Sequence, residues 1–280
     1  MKFSLILATF GIKKIRYIKE LLQSLNDSTF NEFEVILVDQ NPENDIELLF
    51  FEERYSFSKQ YLKSEPGLSK ARNIGLAVAK GSYIAFPDDD CIYPRDLLSQ
   101  VYGFLQDNPS IDLLAIDTRD TITGNKLPYT KRAVGQFKMK KNDIFKTVTS
   151  ISIFAKKYNS FFFDERLGLG AEYPSCEEFD FVTTYFKNLK NCYFTDEFFV
   201  LHPNHTDKGT STLVNKIRRH GVGHGAYFKK HFFFVLSASL YQMVVVPIGG
   251  IIFGIFSLNK NRISIYWAYL VSRAQGFISF

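Results

Sequence analysis

Asp88, Asp89 and Asp90 stand side by side directly after an apolar run at residues 83–87. Three carboxylates at the carboxyl end of a buried strand repel one another, and strand packing gives no reason for them. A divalent cation would relieve that repulsion, and hard oxygen ligands suit Mg2+ or Mn2+. Such an ion takes one or two protein carboxylates and completes its shell with water and phosphate oxygens. Asp88 and Asp90, alternating along the chain, could serve the ion and a phosphate while Asp89 faces elsewhere. The same triplet also suits a solvated turn with an Asp helix cap ahead of Pro94, or the acidic pocket of a phospho-accepting receiver domain.

Asp39 ends another apolar run, in VILVDQNPEND, and Thr9 ends the first one, in SLILATF. A carboxylate at such a strand end can accept hydrogen bonds from a base or a ribose, though it also suits a turn or a helix cap. The segment EPGLSKARNIG, residues 65–75, adds Gly67, where the backbone could approach a ligand, and Arg72, whose planar guanidinium suits phosphate. A solvated arginine near a helix start would read the same way. Neither GxxxxGK[ST] nor a GxGxxG after a strand is present, which argues against kinase, ATPase and dehydrogenase chemistry. His202, in VLHPNHTDKG, is placed to approach a metal or diphosphate, although imidazole is not a favoured Mg2+ ligand. His205, His220 and His224 are weaker candidates, and RRHGVGHGAYFKKH reads as a basic amphipathic segment rather than a zinc site.

These residues need strands to carry them. Residues 3–8, 35–39, 83–87 and 113–117 read as buried strands, and residues 15–25, 45–51, 68–79 and 96–105 show helical spacing. That alternation predicts an α/β fold with a mostly parallel central sheet and ligands beyond the carboxyl ends of its strands. Residues 118–142 read as an exposed loop or small insertion, residues 177–189 as a helix and residues 191–194 as a strand. With no repeat or low-complexity linker, the expected division is one domain over residues 1–225 and a C-terminal region over residues 226–280.

The 280 residues carry 34 Lys and Arg against 29 Asp and Glu, a net charge of +5. That excess is too mild to argue for nucleic acid, and no basic block or aromatic RNA-binding motif supports it. Three widely spaced cysteines make neither a disulfide framework nor a zinc ribbon, and suit a reducing compartment. The opening apolar run lacks a small-residue cleavage site and reads as a first strand rather than a secretion signal. Residues 232–259 contain no charged residue, and Lys229, Lys230, Lys260 and Arg262 flank them. Pro247 and the two glycines after it are expected to break any continuous helix there. Basic residues at both ends point to a segment that enters or lies in the inner leaflet and returns. A buried helical pair within a soluble fold is the alternative.

Taken together, SLILATF, EVILVDQNPEND, EPGLSKARNIGLAVAKGSYIAFPDDDC and FDERLGLGAEYPSCEEFDF resemble the family 2 glycosyltransferases of the GT-A fold. The resemblance spans roughly residues 1–205. It implies that Asp39 contacts the nucleotide base and that Arg72 and Asn73 line the donor site. Asp88 and Asp90 match the metal-binding DxD motif, with Asp89 in its middle. The family places its catalytic base in a Glu-Asp pair opening a later helix. Here the pair is Glu177-Glu178, so Glu178 takes the base position one methylene further out, and Glu177 precedes it.

The resemblance implies an inverting transferase that uses Mg2+ or Mn2+ and a nucleotide-diphosphate-sugar donor. The basic, aromatic C-terminus points to a lipid-linked (polyprenyl-diphosphate) glycan acceptor at the inner-leaflet surface. The enzyme is then expected on the cytoplasmic face of the inner membrane, and bacterial O-antigen or capsule synthesis is the setting the resemblance suggests. A sugar nucleotidyltransferase would need a glycine-rich phosphate loop near the N-terminus, of which ATFGIKKIR is a poor version. A non-catalytic, membrane-tethered glycan-binding or assembly subunit would leave the donor intact. Donor sugar, nucleotide base, acceptor and linkage are open at this level.

Overall fold

The computed structural model describes residues 1–11, 15–43, 45–52, 54–127, 133–189, 191–204 and 210–280. His205, part of the 118–142 stretch and part of ATFGIKKIR lie outside the described residues. The chain divides into two compact units, residues 1–163 with 181–204 and residues 164–180 with 205–280. The division falls within a helix, after Asp180. The expected boundary near residue 225 lies inside another helix, Thr210–Lys230.

The first unit is built on eight strands: β1 (Phe3–Thr9), β2 (Phe33–Asp39), β3 (Ser58–Lys63), β4 (Tyr83–Ala85), β5 (Leu113–Asp120), β6 (Gln136–Lys138), β7 (Ile153–Lys156) and β8 (Cys192–His202). They form one sheet in the order β3-β2-β1-β4-β7-β5-β8-β6. β3, β2, β1 and β4 run parallel, as do β5 and β8, whereas β7 and β6 are antiparallel to their neighbours. β1 and β2 are buried almost throughout, which explains their continuous apolar runs. Helices α1 (Ile15–Asn26), α2 (Asp45–Glu52), α3 (Leu68–Val78) and α4 (Leu97–Asp107) follow β1 to β4 in turn. α1 buries Ile18, Leu21, Leu22 and Leu25 at helical spacing, in a core that includes Phe3, Val35 and Leu37.

Gly75 is required where α3 crosses the sheet, because a Cβ there would lie 2.5 Å from an Ile6 methyl carbon. β4 stops at Ala85, two residues short of the expected end, so Phe86 and Pro87 lead into the aspartates as buried but non-strand residues. The stretch expected to be loop at 118–142 contributes instead the end of β5 and all of β6. The short helix α5 (Ile144–Thr147) precedes β7.

The second unit includes the first turn of α6 (Glu177–Asn188), then α7 (Thr210–Lys230), α8 (Leu236–Leu240), a π turn (Tyr241–Val245), α9 (Val246–Phe256) and α10 (Lys260–Ser279). Glycines let α7 and α10 approach closely. A Cβ on Gly276 would sit 1.9 Å from the Val222 carbonyl oxygen, and one on Gly225 2.1 Å from that of Arg273. The expected break at Pro247 does not occur: residues Leu236–Phe256 are helical throughout. The reason is the π turn one residue before the proline. There Val246 N–H bonds Tyr241 O, and the widened turn makes room where proline removes a donor and crowds the preceding carbonyl.

Candidate active site

Parallel pairing in the first unit places the acidic residues at one edge of the sheet. Thr9 is the register partner of Asp39 across β1 and β2. Its hydroxyl donates to Asp89 Oδ2 at 3.0 Å. Thr9 thus links the end of β2 to the triplet after β4, and both acidic positions open at the same ends of neighbouring strands. Asp89 itself is buried and committed to this tie.

Asp39 is fully buried and accepts from four donors. Asn41 supplies its backbone N–H at 2.9 Å and its side-chain amide at 2.6 Å, Tyr61 its hydroxyl at 2.7 Å and Lys63 its ammonium at 3.0 Å. Burial first, then the neighbouring Asp39 carboxylate, raises the Tyr61 pKa far above its usual value, so the phenol stays a donor. Gln40 Nε2 donates to Thr9 O, and its Oε1 accepts from Gly67 N–H, which ties the loop before α3 to the same edge.

Asp88 and Asp90 have separate partners. Arg72, 1% exposed, donates from Nη2 to Asp88 Oδ1 at 3.2 Å. Its guanidinium lies 5.7 Å from the Phe86 ring centroid and 5.4 Å from that of Phe163, an aromatic seat that fixes its plane. The Asp88 side chain is 37% exposed and open to a ligand. Asp90 Oδ1 lies 3.2 Å from His202 Nε2. Burial works against charging His202, but the Asp90 carboxylate outweighs it, and the net effect is a raised pKa. Asn73 clamps the chain of the same unit, its amide both donating to Phe163 O at 3.0 Å and accepting from Phe163 N–H at 2.8 Å.

Among the described residues, no three or more His, Cys, Asp or Glu side chains are grouped closely enough to form a ready-made metal site, Asp88, Asp90 and His202 included. The donors at this edge fit a different kind of site. Asp90 with His202, and Asp88 beside them, suit a divalent cation that takes few protein ligands and fills its shell from phosphate oxygens.

The acidic pair Glu177-Glu178 opens α6 in the second unit. Cys176, just before it, has φ 68°, a left-handed conformation uncommon for a residue with a Cβ. Glu177 is 7% exposed, whereas Glu178 is more open. Asp180 holds the turn in place: its Oδ1 lies 2.8 Å from Lys230 Nζ and 2.7 Å from His231 Nε2. Lys230 also reaches Asp164 Oδ2 at 2.7 Å, and Arg166 makes three hydrogen bonds to Asp164, two from its guanidinium and one from its backbone N–H. The Arg166 contact, with help from Lys230, holds the Asp164 carboxyl well below its usual pKa.

The sequence profile described as Glycosyl transferase family 2 matches residues 4–167, more than half of the chain. The chain belongs to this family. The poly(ribitol-phosphate) beta-N-acetylglucosaminyltransferase TarS of Staphylococcus aureus (strain Mu50) is 30% identical over 180 residues, covering 60% of this chain and 30% of that protein. The structure of S. aureus TarS 1–349 in complex with UDP-GlcNAc matches with a TM-score of 0.62 at 19% identity, over 98% of this chain and 90% of that one. The mannosyltransferase PcManGT from Pyrobaculum calidifontis, in complex with GDP-Man and Mn2+, matches with a TM-score of 0.66 at 15% identity, over 99% and 87%. These likenesses establish the GT-A fold. The chain spans about a third of the length of the curated relatives it matches.

In this member of the family, Thr9, Asp39, Arg72 and Asp88 to Asp90 gather in the first unit together with His202. Asn41, Tyr61 and Lys63 converge on Asp39 and were missed by sequence reasoning. The polar run QNPEND after Asp39 signalled Asn41 only as a turn. Tyr61 and Lys63 sit on an edge strand with no apolar run, so nothing in their own sequence pointed to Asp39.

Proposed function

We propose that this glycosyltransferase is an inverting, metal-dependent enzyme that moves a sugar from a nucleotide-diphosphate-sugar donor to a lipid-linked (polyprenyl-diphosphate) glycan. The observation that carries the reading is Thr9, in register with Asp39 and hydrogen-bonded to Asp89, which aligns the Asp39 carboxylate with the aspartate triplet.

Asp39 anchors the base subsite through its neighbours: its acceptor positions are filled by Asn41, Tyr61 and Lys63, which it holds in place beside the nucleotide base. Arg72, seated against the Phe86 and Phe163 rings and paired with Asp88, contributes positive charge next to the diphosphate, and Asn73 lines the donor site through the segment it clamps. Asp88, Asp90 and His202 hold Mg2+ or Mn2+. When bound, the ion supplies positive charge that stabilises the departing nucleoside diphosphate. Glu178 is the general base, and the more buried Glu177 supports it. Glu178 takes the proton of an acceptor hydroxyl as that oxygen bonds to the anomeric carbon, while the bond from that carbon to the diphosphate breaks and its electron pair leaves with the nucleotide. One in-line displacement inverts the anomeric centre.

The complexes of TarS with UDP-GlcNAc and of PcManGT with GDP-Man and Mn2+ support the donor class and the ion. Residues 226–280, basic and apolar, support a peripheral or monotopic place on the cytoplasmic face of the membrane, where a polyprenyl-linked acceptor resides. The likeness to a poly(ribitol-phosphate) transferase favours a second acceptor class, a polyol-phosphate polymer. Family membership favours glycosyl transfer over the nucleotidyltransferase and the non-catalytic subunit.

The test is a screen of UDP- and GDP-sugars with Mg2+ or Mn2+, against polyprenyl-diphosphate-sugar and polyol-phosphate acceptors, scored by nucleoside-diphosphate release and by the product's anomeric configuration. Asp90→Asn is expected to abolish metal-dependent turnover in a folded protein. Glu178→Gln is expected to retain donor binding and lose transfer. Full transfer by both variants would remove the assignment.

A further inference from the structure

In the second unit, the helix Leu236–Phe256 is built inside out. Its buried positions are small residues and a proline: Ser239, Pro247, Gly250 and Gly254. Its large side chains face outward. Leu240, Val244, Val245, Ile248, Ile252 and Phe256 are between 43% and 84% exposed, at spacings that share one face of about 24 Å. A core helix of a soluble protein has the opposite arrangement, with large apolar groups inside and polar ones in water. Water is the wrong solvent for this face.

Charge selects the occupant. Nine of the chain's 34 Lys and Arg and none of its 29 Asp and Glu fall in residues 208–280, so the net +5 of the chain is +9 there and −4 elsewhere. Two copies of a face framed only by positive charge repel each other, whereas an anionic bilayer attracts it.

Geometry selects the pose. The inner side of the helix lies on α10, with Gly250 against the Tyr266 ring and Gly254 against Ile263. α10 carries Lys260, Arg262, Arg273 and Gln275, too polar for a return crossing. Arg262, at the turn between the helices, stacks on the Phe253 ring at 4.3 Å. Cations precede the helix at Lys229 and Lys230 and follow it at Lys260 and Arg262, so the preference of basic residues for one side of a membrane places both ends on that side.

We infer that Leu236–Phe256 lies parallel to the membrane plane, its outward face embedded in one leaflet and Lys229, Lys260 and Arg262 at anionic headgroups. This deepens the membrane placement proposed above and specifies the embedded face and the lipid charge.

The test uses the full chain without nucleotide. It should co-sediment with vesicles of mixed phosphatidylglycerol and phosphatidylcholine at least tenfold better than with phosphatidylcholine alone. The double variant V245D/I252D should lose that binding while its urea midpoint stays unchanged. Nitroxide labels on V244C, I248C and F256C, with the buried native cysteines left in place, should report equal depths. Depths graded across the bilayer would overturn the in-plane pose. Equal binding to neutral vesicles would overturn the charge argument, and dimers formed through this face without vesicle binding would overturn the lipid occupant. Vesicle binding with no glycosyl transfer from any donor would sink the enzymatic reading alone, whereas transfer without vesicle binding would sink this inference alone.

Discussion

His224 sits on α7 with its ring 6.0 Å from that of Phe179, and its Nδ1–H donates to the His220 carbonyl at 3.0 Å. Burial, reinforced by the Arg273 guanidinium, lowers its pKa from 6.5 to about 4. The folded protein keeps this imidazole neutral, while the unfolded chain takes up a proton below about 6.5. The associated stability is therefore complete above that pH and is lost as the pH falls from 6.5 to 4. At ~1.4 kcal/mol per pH unit, the loss is about 2.5 kcal/mol by pH 4.5 and levels off near ~3 kcal/mol below pH 4. His220 is also lowered to about 4, by burial and then by Lys216 and Arg219. It is present in both proteins compared below. The assay is urea unfolding of the wild type and His224→Gln from pH 7.5 to 4.5, followed by fluorescence of the lone tryptophan, Trp267, on α10. Carboxylate titrations are common to both proteins and cancel in the difference. The wild type's stability relative to the variant should fall by about 2.5 kcal/mol over this range. A difference that does not move with pH would refute the claim that the fold holds His224 neutral.

Two further outcomes follow from the site geometry. Asp39→Asn removes the charge on which Asn41, Tyr61 and Lys63 converge, so nucleoside-diphosphate affinity measured by calorimetry should fall about 10- to 100-fold, the range of a charged hydrogen bond worth ~1.5–3 kcal/mol; an unchanged affinity would remove Asp39 from the donor site. Gly223→Ala would bring a Cβ within 2.3 Å of Ser175 Oγ and 2.7 Å of its carbonyl oxygen, next to Cys176 and Glu177. It should cost about 1–3 kcal/mol in a thermal melt and lower kcat, whereas Gly249→Ala, with nothing within 4 Å, should do neither.

Several elements were legible from local chemistry. Residues 3–8 and 35–39 read as strands because both faces of β1 and β2 are buried, which leaves an uninterrupted apolar signature. α3 and α4 were found within two residues of their ends from helical spacing. β3 was not found, because SKQYLK lies at the sheet's edge with both ends exposed and needs no apolar run. β5 and β8 outran their expected ends, since their polar tips are ordered by pairing with each other, as in the register of Asp120 with His202. Pro247 was expected to end a helix, and a π turn absorbed it.

Sequence alone determined which residues carry charge and where apolar runs stop. That sufficed to place the carboxylate at 39 on a strand end and those at 88–90 just beyond one, and to mark 232–259 as an uncharged stretch. Tertiary structure decided which of those ends are neighbours. The strand order set β1 between β2 and β4, so that Thr9 bridges two acidic positions far apart in sequence, and brought Tyr61 and Lys63 from an edge strand onto Asp39. It also decided that the large side chains of Leu236–Phe256 point outward, because only packing against α10 says which face of a uniformly apolar helix is covered. Local propensity and hydropathy act over a few residues, whereas register, strand order and helix packing are set by contacts between distant segments.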